Sequence, residues 1–122
     1  HVIRDATRGG IGTVLYEIAA QSGVGIKLNA EKIPVTDEVS GVCRMLGLDP
    51  LYLACEGRMV VSAPKAQASA IVSALHQCPY SKNAAVIGEV TSGMKGKVVM
   101  ETEIGSKTLL PQPSGELLPR IC

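Results

Sequence analysis

Apolar residues at Ile11, Val14, Leu15, Ile18 and Ala19 fall at i, i+3, i+4, i+7 and i+8. That is one stripe of a 3.6-residue period, and it predicts a helix fed by the turn Asp5-Ala-Thr-Arg-Gly-Gly10. Gly23 and Gly25 end it, as glycines do just past a helix C-terminus. Before this helix, His1-Val-Ile reads as the end of a strand or linker. After it, Val24-Gly-Ile-Lys-Leu28 alternates weakly and reads as a strand. Pro34 and Thr36 announce a second helix, with Asp37 and Glu38 in its first turn, where the dipole favours anions. Val39, Val42, Cys43 and Leu46 form its expected buried stripe, which gives Cys43 a structural role, and Gly47 stops it. Leu48–Gly57 reads as a short helical turn and loop. The continuous apolar run of Arg58–Ala63 predicts a strand buried on both faces.

Ser62 and Pro64 start a third helix, with Ala66, Ala70, Ile71, Ala74, Leu75 and Cys78 along one side and Pro79 at its end. Ala85–Val90 is a strand, and Lys97–Thr102 and Lys107–Leu110 are the arms of a hairpin turned at Ile104-Gly-Ser106. Helices interleaved with strands predict an α/β (α+β) fold, one mixed sheet with helices packed on one face, over residues 1–110. Residues 111–122 are different. Prolines at 111, 113 and 119 and a glycine at 115 forbid a regular helix and predict an extended, flexible, polyproline-like tail with Cys122 at its tip. A dozen residues reach roughly 40 Å when fully extended. A thiol mounted this way is a carrier, a modification site, a metal hook or an accident.

Composition narrows the picture without redirecting it. Of 122 residues 46% are hydrophobic and 19% charged, which excludes bulk disorder and allows one domain with a real core. Phe and Trp are absent and Tyr occurs three times, so the core must be aliphatic. No apolar run approaches the roughly 18 residues of a membrane span, and no secretory signal opens the chain, so reduced thiols and a cytoplasmic location are expected. A net charge of +1 with scattered Lys and Arg gives no case for nucleic acid. Cysteines at 43, 55, 78 and 122 form no C-x-x-C clip, and His1 and His76 complete no ligand set, so no metal site is expected. The opening His1 suggests the carboxyl-terminal portion of a longer protein.

Two segments could carry chemistry besides the tip. In Asp5-Ala-Thr-Arg-Gly-Gly10 the glycines Gly9 and Gly10 allow close backbone approach at a helix entry, whose free N–H groups suit phosphate, and Arg8 adds a bidentate donor. The plain alternative is a glycine turn with Thr7 as helix cap. Glu56, between an apolar run and a strand, could sit partly desolvated and act as a proton acceptor; the alternative is a solvated loop glutamate. Cys55 reads as a small buried hydrophobe and His76 as a surface residue near a helix end. Cys122, beside the terminal carboxylate, would be a poor nucleophile on its own, which favours a carrier loaded by another active site.

Asp5-Ala-Thr-Arg-Gly-Gly10, Asn29-Ala-Glu31 ahead of Ile33-Pro-Val35, Glu56-Gly57, Ile87-Gly-Glu-Val90 and the closing Pro119-Arg-Ile-Cys122 together resemble the HypE family of hydrogenase maturation factors. That family is similar to aminoimidazole ribonucleotide synthetase and selenophosphate synthetase, whose members pair an amino-terminal ATP-binding domain with a carboxyl-terminal α/β domain. The resemblance covers essentially the whole chain and implies the carboxyl-terminal domain. It also implies that Cys122 receives a carbamoyl group from the carbamoyltransferase HypF. The S-carboxamide is then dehydrated with ATP to a thiocyanate, and cyanide passes to iron on HypC–HypD for the Fe(CN)₂CO centre of [NiFe] hydrogenase. ATP with magnesium would bind mainly to the absent amino-terminal domain, as would the contacts of a homodimer. Carried across, Glu56 is the general base, the residues Asp5, Thr7, Arg8, Gly9 and Gly10 hold phosphate or the reacting end of the tail, and Arg120 guides the tail. A non-catalytic docking module and another ATP-dependent synthetase of the superfamily are the alternatives.

Overall fold

A four-stranded mixed sheet and a separate two-stranded ribbon carry the helices in the computed structural model, which describes residues 1–113. In chain order the elements are β1 (Val2–Asp5), α1 (Gly10–Ser22), β2 (Gly25–Asn29), α2 (Asp37–Leu46), β3 (Met59–Ser62), α3 (Lys65–His76), β4 (Gly88–Thr91), β5 (Val98–Glu101) and β6 (Lys107–Leu109). Short 3₁₀ turns at Ala30–Lys32 and Pro50–Tyr52 join them. The sheet order is β4-β2-β5-β6, with β2 and β5 parallel and both outer pairings antiparallel.

The parallel register places Ile26 beside Val98 and Leu28 beside Met100, so two apolar rows share one face of the sheet. Against it lies α1, with Val14, Leu15, Ile18 and Ala19 buried as their spacing predicts. Gly23 closes α1 in a left-handed conformation and its N–H reaches the last carbonyls. Asn29 starts the first 3₁₀ turn by accepting from the N–H groups of Glu31 and Lys32, and the Glu31 carboxylate accepts from the Glu103 N–H. The Asn-Ala-Glu motif is thus a turn-builder that ties β2 to the β5–β6 hairpin.

Three expectations need correction. The strands do not form one sheet: β3 pairs antiparallel with β1, Ile3 opposite Val61, in a ribbon of its own. That ribbon buries only one face. Val2 and Val60 pack on the core while Ile3, Met59 and Val61 are exposed, so β3 is not covered on both sides. The stripes of α2 and α3 are also shallower than expected. Of the α2 stripe only Cys43 is buried, and Val39, Val42 and Leu46 face outward. Helix α3 buries no residue fully; its half-buried side is Ala68, Ile71, Val72 and Leu75, which leaves Ala66, Ala70, Ala74 and Cys78 exposed. Among the described residues no helix is long and apolar enough to cross a membrane.

Candidate functional site

The loop Asp5–Gly10 leaves β1 and enters α1, and a single alanine anchors it. Ala6 is wholly buried; its N–H donates to the Arg58 carbonyl at 3.0 Å and its carbonyl accepts from the Cys55 N–H at 3.2 Å. Those two partners flank Glu56 and Gly57. The two segments that the sequence singles out are therefore held side by side, with Asp5 also opposite Met59 in the ribbon.

Within the loop, Thr7 does not cap the helix. Its hydroxyl donates to the Asp5 carboxylate at 2.8 Å, and the cap position is Gly9, left-handed at φ 67°, with no side chain bonding the first turn. The entry of α1 consequently offers main-chain N–H groups that no capping side chain fills. Arg8 beside it is exposed and makes no ion pair among the described residues. Glu56 is exposed as well, rather than partly desolvated, because the turn it sits in lies outside the core. A shallow cavity of about 370 Å³ opens next to it, lined by Gly57, Arg58, Tyr80 and Lys82. Cys55 is half-buried rather than buried, and His76 is on the surface with Nε2 at 2.7 Å from the Ala84 carbonyl. Cys122 and Arg120 lie outside the described residues.

Gly10, at φ 63°, is where sequence reasoning and structure meet differently. A Cβ there would stand 2.5 Å from the carbonyl oxygens of both Leu51 and Leu53. The close approach that the glycine allows is taken by the chain's own 3₁₀ turn. Gly12, two residues on, does the same for a side chain: a Cβ would stand 2.6 Å from the Tyr52 ring. Tyr52 thereby lies directly on α1.

Its hydroxyl donates to the carbonyl of Pro111, and the Tyr16 hydroxyl donates to the carbonyl of Leu110. Both tyrosines are buried, and Leu110 is only 1% exposed. Burial raises the Tyr16 pKa; burial, with the nearby Tyr16 and Asp49, pushes Tyr52 up to about 12. A groove of about 240 Å³ continues from Tyr52 along Gly47–Asp49 to Pro111, Gln112 and Pro113. Sequence reasoning passed over both tyrosines. Their signal was compositional, since two of three aromatic residues in an otherwise aliphatic chain are spent at one place.

The uncapped N–H groups of the α1 entry and the exposed Arg8 are the donor types that an anionic oxygen would need. No three His, Cys, Asp or Glu side chains converge among the described residues.

Residues 1–101 match the family described as AIR synthase related protein, C-terminal domain. Over 121 residues the chain is 46% identical to the carbamoyl dehydratase HypE of Cupriavidus necator, covering 99% of this chain and 34% of that protein. Among solved structures it resembles the hydrogenase maturation protein HypE in complex with ATP, with TM-score 0.91 and 43% identity over 100% of this chain and 38% of the other. It also resembles a chain of a HypE–HypF complex, with TM-score 0.88 and 40% identity over 92% of this chain and 36% of that one. The chain spans about 35% of the length of the curated relatives it matches.

Proposed function

Because the chain belongs to the AIR synthase related proteins, as their C-terminal domain, we propose that it is the tail-bearing part of an ATP-dependent carbamoyl dehydratase of [NiFe]-hydrogenase maturation. Cys122 carries the substrate. The observation that supports this reading best is the junction at Ala6, which seats the turn containing Glu56 against the Asp5–Gly10 loop, the two segments to which the reading gives the base and the phosphate contact.

In this reading the Cys122 sulfur is carbamoylated by a HypF-type carbamoyltransferase. Dehydration then converts S–C(=O)NH₂ into S–C≡N, losing one oxygen and both N–H protons as water. ATP, when bound, supplies the phosphoryl group that turns the carboxamide oxygen into a leaving group. Glu56 takes an N–H proton. In this domain it is exposed and free to meet the reacting group. Arg8 and the first N–H groups of α1 orient an anionic oxygen, and Arg120 steers the tail. The finished cyano group leaves to iron on HypC–HypD, and a homodimer completes the assembly.

The test uses the full-length protein with the carbamoyltransferase, carbamoyl phosphate and ATP, following the mass of Cys122. A carbamoyl and then a cyano adduct are expected on that sulfur, and Cys122→Ala should block loading. Glu56→Gln should still load but dehydrate more slowly, by roughly 10²–10⁴-fold as for a lost general base. An unmodified Cys122 would sink the reading, and full activity of Glu56→Gln would sink that residue's role.

A further inference from the structure

Among the described residues, the hydroxyls of the buried Tyr16 and Tyr52 are both spent on two consecutive carbonyls just past the last strand, those of Leu110 and Pro111. Strand β6 ends at Leu109, and the Leu110 N–H still joins the ladder by donating to the Val98 carbonyl at 2.9 Å. Beyond that the ladder stops: Pro111 has no N–H to give. At this point an arm would fray from the body. Instead Tyr16, from α1, takes the carbonyl of Leu110, and Tyr52, from the 3₁₀ turn, takes that of Pro111. Each ring is itself held. Tyr16 belongs to the core, and Tyr52 is pressed on Gly12 while Asp49 caps its turn by accepting from the Leu51 N–H at 2.9 Å.

We propose that Tyr16 and Tyr52 are positioning residues that latch the root of the tail, setting where and in which direction it leaves the domain. The latch rests on the proposed function for what the tip does. With Pro111 held, the eleven residues from Gln112 to Cys122 limit how far the tip can reach, to roughly 40 Å at full extension. A tether fixed at its root gives its tip a higher effective concentration at one place than a tether that can peel back along β6. Because Gly10 and Gly12 seat the 3₁₀ turn on α1, the same contact joins the Asp5–Gly10 loop to the tail. The latch therefore favours the step in which the tip returns to its own domain, and leaves untouched the step in which another enzyme reaches out to load it.

The experiment is Tyr16→Phe, Tyr52→Phe and the double variant in the full-length protein, where each ring stays and only the hydroxyl is lost. Unfolding midpoints confirm that the fold survives. Hydrogen exchange at the Leu110 amide should accelerate roughly fivefold per hydroxyl removed, as for one lost hydrogen bond. Single-turnover dehydration of pre-carbamoylated protein should fall by about tenfold in the double variant, in line with a lost effective concentration, while kcat/KM for loading stays unchanged. Unchanged exchange overturns the latch. Faster exchange with unchanged dehydration, or loading and dehydration falling together, overturns the positioning role. If the wild-type protein accepts no carbamoyl group, the proposed function is what fails, and the exchange rates still decide the latch.

Discussion

Tyr52 gathers more of this molecule's logic than any catalytic candidate does. Its ring lies on α1 only because Gly12 has no side chain, and its hydroxyl holds Pro111 only because that ring is so placed. Burial is the main reason its pKa is raised from 10.0 to about 12. The native state thus favours the neutral phenol, whose contribution to stability is complete below the unfolded value and is lost as pH rises through the folded one. Stability should therefore decline between about pH 10 and 12, with Tyr52 ionising late in that window. Tyrosinate absorbance followed together with the unfolding midpoint checks this, and Tyr52→Phe should flatten the decline. At Glu56 the residue type was legible and the environment was not. Whether a loop carboxylate is covered depends on what packs over it, and in these residues nothing does.

At the scale of elements, α2 shows how local signals and burial separate. Thr36 caps it by accepting from the Val39 N–H, Asp37 and Glu38 fill its first turn, Arg44 its last, and Gly47 closes it left-handed. Glu38's own backbone N–H and then the Thr36 hydroxyl hold its carboxyl below the usual range. All of that could be read along the chain, because caps and charges act within one turn. The depth of its apolar stripe could not. With only Cys43 buried, α2 leans on its caps more than a core helix would, so Thr36→Ala should cost about 1 kcal/mol. The loss should appear as faster amide exchange in residues 37–43, with little change in exchange across β2 and β5. A global drop equal to the local one would contradict it. The ribbon makes the same point for strands. Arg58–Ala63 reads as a strand from its continuous apolar run, but its partner β1 was chosen by tertiary packing, and one apolar face stays open with Ile3, Met59 and Val61 exposed.

For the whole molecule, the chain is about a third of its relatives' length, and the proposed chemistry needs more than it contains. The Asp5–Gly10 loop offers uncapped N–H groups and Arg8 but no enclosing pocket for a nucleotide. Calorimetry on these 122 residues should accordingly show no micromolar ATP binding, and a micromolar affinity would overturn that expectation. By itself the sequence determined the helices and most strands in their order, the Thr36 cap, the stops at Gly23 and Gly47 and the resemblance, since a helical period or a left-handed glycine is a property of a short window. Only the tertiary structure decided the split of the strands into sheet and ribbon, the shallow burial of α2 and α3, and the meeting of Glu56 with the Asp5–Gly10 loop at Ala6. It also decided the partners of the two tyrosines, which stand 94 and 59 residues from the carbonyls they hold. No local pattern encodes such a pairing. It exists because Gly10 lets the 3₁₀ turn's backbone come close and Gly12 leaves room for the Tyr52 ring, and because buried hydroxyls in an aliphatic core must find acceptors wherever the folded chain supplies them.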